Sequence, residues 1–137
     1  ALHTPQAHTD GDSFIHFEKA NVIHAGDLFF NGMFPFIDVN HGGSLKGTVR
    51  AVNQVLTIAN DSTRIIPGHG PLATKAQLIQ YRDMLMLSYE RLRALKVDGK
   101  SVQEAVAANP LEDLQADWGQ GLFSASRWIE IIYSGVY

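Results

Sequence analysis

Three glycine-containing turns in the first 70 residues of this 137-residue chain each carry a potential metal ligand. They are Ala7-His8-Thr9-Asp10-Gly11-Asp12, His24-Ala25-Gly26-Asp27 and Pro67-Gly68-His69-Gly70. Each lies where a β-type run gives way to a turn. A rigid sheet fixes such a turn while its tip faces a crevice, which is where α/β proteins place functional groups. Glycine on both sides of His69 permits positive φ and close backbone approach, and Gly26 does the same for Asp27. Two imidazoles and a carboxylate are donors that suit a borderline metal such as zinc.

The pattern around these turns predicts a layered α/β chain. Ser13-Phe14-Ile15-His16-Phe17 and Asn21-Val22-Ile23-His24 read as short strands, and Leu28-Phe29-Phe30 continues the apolar run after Asp27. Residues 31–43 form a loop rich in Gly, Asn and aromatics. A loop that long and apolar covers a pocket or another chain, so Phe34, Phe36 and His41 are its candidate substrate-binding residues. Ser44 N-caps a helix with Leu45, Val49, Val52, Leu56 and Ala59 on one face. Thr63-Arg64-Ile65-Ile66 is a strand entering the His69 turn. Capping boxes at Thr74/Gln77 and Ser101/Glu104 open a long helix to about Lys96, stopped by Gly99, and a short one ending before Asn109-Pro110. A last helix starts near Ser124 and carries Trp128, Ile131 and Ile132, with Trp118 and Trp128 as core anchors.

Composition narrows the function classes. A length of 137 residues makes one domain, and 45% hydrophobic with 18% charged residues is a globular profile. A net charge of -3 argues against a nucleic-acid partner, and Arg91, Arg93 and Lys96 read as a solvated helix face. With no cysteine, disulfides and thiolate zinc sites are excluded. No apolar run approaches the roughly 20 residues of a membrane span, and no basic-then-apolar leader precedes the first turn. The chain begins at Ala1 rather than methionine, which leaves room for an upstream segment. Asp10 and Asp12 shape the turn after His8; His16 and His24 are strand-face residues, and His3 has no context that favours function.

Spacing alone leaves His8, Asp27 and His69 open between turn residues and ligands. The extended motifs narrow the choice. Ala-His-Thr-Asp-Gly-Asp, Gly-Asp-Leu-Phe-Phe and Ile-Ile-Pro-Gly-His-Gly, in this order, resemble the metallo-β-lactamase-fold hydrolases from about Ala7 to at least Ala73. The resemblance implies a four-layer αββα sandwich of two similar halves with two metals, usually zinc, at one edge. His8 would bind one metal, His69 the other, and Asp27 would bridge them. A metal-bound hydroxide would attack an ester, thioester, lactam or phosphoester. The family's His-x-His-x-Asp-His signature is absent, since no two of the six histidines are separated by one residue.

The resemblance therefore covers the C-terminal half alone. It predicts half of the sandwich, one small sheet covered by helices on one face, with residues 1–97 as core and 98–137 as a helical tail. The tail resembles that of periplasmic or secreted members. A half-sandwich exposes a sheet face that calls for a complementary N-terminal half or a homodimer imitating the full sandwich. Each metal would receive two protein ligands where a catalytic zinc takes about three plus water. The reading is the C-terminal portion of a zinc-dependent hydrolase, inactive as the isolated chain. The alternative is a free-standing half-domain whose dimer is a binding or structural module. A third reading is a new metal site across that dimer.

Overall fold

The computed structural model describes residues 1–137. Its four-stranded sheet has the order β1 (Leu2–His3), β2 (Ser13–Phe17), β3 (Val22–Phe30), β4 (Arg64–His69). β1 and β2, and β2 and β3, pair antiparallel, whereas β3 and β4 pair parallel across a helix, α1 (Leu45–Ile58). The β2–β3 hairpin closes at Asn21, whose positive φ of 54° suits a residue that tolerates the left-handed region. After β4 come α2 (Lys75–Val97), α3 (Val102–Ala107), α4 (Gln115–Trp118) and α5 (Ala125–Ile132).

The caps form as local chemistry dictates. The Ser44 hydroxyl accepts from the Gly47 amide, and Thr74/Gln77 and Ser101/Glu104 make reciprocal boxes. Ser124 caps α5 by accepting from the Arg127 amide. α1 and α2 pack together on one face of the sheet, with the Phe29 ring 5.0 Å from that of Tyr81 on α2. Phe14, Ile23, Ala25 and Ile65 point into that core and are fully buried.

The alternate residues face the other way, and no element of the chain covers them. Ile15 and Phe17 are 43% and 50% exposed, Val22 and Ile66 are half-buried, and His24 and Arg64 are exposed. Cross-strand pairing of Phe17 with Val22 and of His24 with Ile66 gathers the apolar ones into one patch. One small sheet covered by helices on one face is the arrangement expected of this chain.

Three expectations need correction. Asp27 and the beginning of the His69 motif are not in turns: β3 runs unbroken through Gly26-Asp27, and β4 runs through Pro67-Gly68-His69. The break is in the pairing instead. From Gly26↔Pro67 to Phe30↔His69, β3 advances four residues while β4 advances two, so Asp27 lies on an irregular stretch beside β4. Second, the Arg91/Lys96 cluster is not simply a solvated face. Arg91 forms a bidentate pair with Asp113 at 2.6 and 3.1 Å, which holds the Asp113 carboxyl below its ordinary range. Lys96 donates to the Tyr133 carbonyl at 3.0 Å, so α2 fastens the tail with its cations. Third, Phe34 belongs to the core: it is fully buried and stacks on Trp128 with ring centroids 4.5 Å apart.

Candidate functional site

His8, Asp27 and His69 are brought to one end of the sheet. The His8 backbone is held from the other side of the turn, its carbonyl accepting from the Asp38 amide at 2.8 Å. His69 closes β4, and its carbonyl accepts from the Asn31 amide at 2.9 Å while the Asn31 side chain donates to the Pro71 carbonyl. Asp27 stands between the two histidines. Its Oδ2 lies 4.0 Å from His8 Nε2 and its Oδ1 lies 3.5 Å from His69 Nε2.

Phe30 supports both imidazoles. The His69 ring stacks on it at 4.4 Å and 10°, and the His8 ring tilts against it at 6.3 Å. In the sequence Phe30 is only part of an apolar run; its pairing with His69 across two parallel strands is a register property no local pattern displays. Beneath this platform the Tyr81 hydroxyl is fully buried without a hydrogen-bond partner, and burial pushes its pKa up.

Gly68 makes room for the carboxylate. A Cβ at position 68 would stand 2.2 Å from Asp27 Oδ1 and 2.8 Å from the Gly26 carbonyl carbon and oxygen. The space next to the carboxylate thus exists because residue 68 has no side chain.

The loop residues divide. The Phe36 ring meets His8 edge-on at 5.7 Å and Phe123 from the tail at 6.3 Å, forming an apolar wall beside the site. Phe123 carries no signal in the sequence, because nothing local links it to a loop nearly ninety residues earlier. Phe34 is removed from any pocket by its place in the core. His41 is exposed and bonds Asp38 at 2.7 Å through Nδ1.

The donor chemistry fits a metal partway. Two donors on one tetrahedral zinc, each about 2.0–2.1 Å from it, stand about 3.3 Å apart. The His69–Asp27 separation is close to that, and the His8–Asp27 separation is longer by a fraction of an ångström that a side-chain rotation covers. No three His, Asp or Glu side chains form a group that could hold an ion. The arrangement is two histidine–carboxylate pairs sharing one aspartate.

With this geometry in view, similarity to known proteins identifies the fold. No family model matches the chain. An uncharacterised protein of Aquifex aeolicus (strain VF5) is 41% identical over 68 residues, 50% of this chain and 31% of that protein. Among solved structures, the B3 metallo-β-lactamase BLEG-1 is 26% identical with a TM-score of 0.52, over 61% of this chain and 39% of its own. The protein TTHA1623, solved in a di-iron-bound form, is 26% identical with a TM-score of 0.50, over 58% and 38%. The stereoselective inverting sec-alkylsulfatase Pisa1 from Pseudomonas sp. is 18% identical with a TM-score of 0.71, over 98% of this chain and 24% of that one.

The fold is therefore of the metallo-β-lactamase type. The chain spans 24% to 39% of the length of these solved neighbours and 31% of the Aquifex relative.

Proposed function

We propose that this chain is the C-terminal portion of a zinc-dependent hydrolase of the metallo-β-lactamase fold. The observation that carries this reading is the position of Asp27, one carboxylate oxygen directed to each of two histidines on separate elements. His8, Asp27 and His69 are the residues that would hold the metal. Phe30 packs against both rings, and Phe36 with Phe123 forms an apolar wall on one side. Zinc held there supplies Lewis acidity and a lowered pKa of water, the chemistry that opens an ester, thioester, lactam or phosphoester. Two protein donors for each metal fall short of the usual three, so the isolated chain is inactive.

The experiment is a comparison of two proteins. The product of the whole coding sequence, assayed against ester, thioester, lactam and phosphoester substrates, is expected to be hydrolytic and chelator-sensitive. The 137-residue chain alone is expected to show no turnover. A whole product that lacks His-x-His-x-Asp-His and hydrolyses nothing with zinc overturns the reading.

The open sheet face favours a second reading, a homodimer that covers Ile15, Phe17, Val22 and Ile66 with a second copy and serves as a binding or structural module. Light scattering of the chain alone separates the two. A stable dimer supports the module, and a well-behaved monomer counts against it.

A further inference from the structure

Asp12 has two contacts, and together they do more than shape a turn. Its Oδ2 accepts from the Thr9 amide at 2.5 Å, which closes the turn. Its Oδ1 lies 3.4 Å from His8 Nδ1, at the long end of hydrogen-bond range. Both side chains are shielded, at 12% and 15% exposure, so water competes weakly for this contact. The backbone of Asp12 is also fixed: its carbonyl accepts from the Thr4 amide at 2.8 Å and from the Thr4 hydroxyl at 3.2 Å, and Thr4 is buried.

A carboxylate only accepts, so the proton in the Asp12–His8 contact has to be on Nδ1. In the neutral imidazole this leaves Nε2 as a bare lone pair, and Nε2 is the atom that faces Asp27. Nε2 and Asp27 Oδ2 are 4.0 Å apart, too far for a direct hydrogen bond, so the Asp12 contact at 3.4 Å is the shorter and the stronger of the two on this ring.

We infer that Asp12 is a positioning residue that holds His8 in its Nδ1–H tautomer, with the Nε2 lone pair directed at Asp27. The use of that lone pair for zinc rests on the function proposed above; the tautomer itself does not.

Asp12→Asn isolates the effect. The Thr9 amide is a donor, so the asparagine oxygen must stay on it and the turn survives. The asparagine NH₂ then faces His8 Nδ1, which has to become the acceptor, and the proton moves to Nε2. Long-range proton–nitrogen correlation spectra at about pH 8.5, where an ordinary imidazole is neutral, read the tautomer without any metal, with His8→Ala to assign the signals. The wild-type chain should show Nδ1–H, and Asp12→Asn should show Nε2–H. An Nε2–H tautomer in the wild type, or no change in the variant, overturns the inference.

Zinc titration of the same two proteins adds a second arm. Loss of an orienting partner costs about 10- to 100-fold in metal affinity, and a weakening of that order is expected in Asp12→Asn. Equal zinc affinity in both proteins contradicts the positioning role. The proposed function stands or falls with the whole gene product, and the metal-free spectra decide the tautomer whatever the zinc affinity of the isolated chain.

Discussion

Trp128→Ala is expected to lower the free energy of unfolding by about 3–5 kcal/mol, the range for deleting a large buried aromatic. Trp128 is fully buried at the centre of α5, stacked on Phe34 at 14°, and its indole N–H donates to the Pro35 carbonyl at 2.7 Å. The Phe34 amide in turn donates to the Trp118 carbonyl at 2.9 Å. The substitution removes the stack and leaves the Pro35 carbonyl without its donor. Against a total stability of about 5–15 kcal/mol for a domain, that is a large share. Trp128→Phe retains an aromatic on Phe34 and should cost less, about 1–3 kcal/mol for the lost donor. Urea denaturation of the two variants checks both values. A loss below about 1 kcal/mol for Trp128→Ala would mean that the tail contributes little to holding loop 31–43.

Gly68→Ala should strike the site directly. An added Cβ meets the Asp27 Oδ1 at 2.2 Å and the Gly26 carbonyl at 2.8 Å. The Gly26 contact is backbone within β3, paired with Pro67 of β4, and yields less readily than a side chain. The carboxylate can, so it leaves its place between the two histidines. Overpacking of this kind costs about 1–3 kcal/mol. The larger consequence is chemical: one methyl group separates both histidines from the oxygen each faces. Zinc affinity should fall as far as it does in Asp27→Ala, although Gly68 supplies no donor. If Gly68→Ala binds zinc like the wild type, the carboxylate is not where the two pairs meet.

The elements written by local chemistry were the ones legible in the sequence. Ser44, Thr74 with Gln77, and Ser101 with Glu104 cap helices because a side chain satisfies an amide three residues on, and such a signal is complete within one turn. The candidate ligands were legible as residues, through their motifs. Their arrangement was not. Asp27 reaches Gly68 only because β3 and β4 lose register after Gly26, which is a property of two strands and not of either alone. Phe34 and Phe36 sit two residues apart in a loop that reads uniformly as a pocket wall. Trp128 takes the first into the core and leaves the second beside His8. Asp12 was legible as a turn former through the oxygen it gives to Thr9, while the oxygen it gives to His8 depends on how the turn folds back.

Under the proposed function, the open face of the sheet and the two-donor pairs are the same shortfall at different scales. Ile15 and Phe17 are half exposed on a sheet whose other side is packed by two helices. Each histidine meets one oxygen of Asp27, and no third donor joins either pair. A complementary half would supply apolar cover to the first and donors to the second.

Zinc titration of the isolated chain, with dialysis and metal analysis of His8→Ala, His69→Ala and Asp27→Ala, tests that account most directly. The account predicts weak binding that dialysis strips, diminished by either histidine variant and abolished by Asp27→Ala. Stoichiometric zinc that survives dialysis in both histidine variants would contradict it.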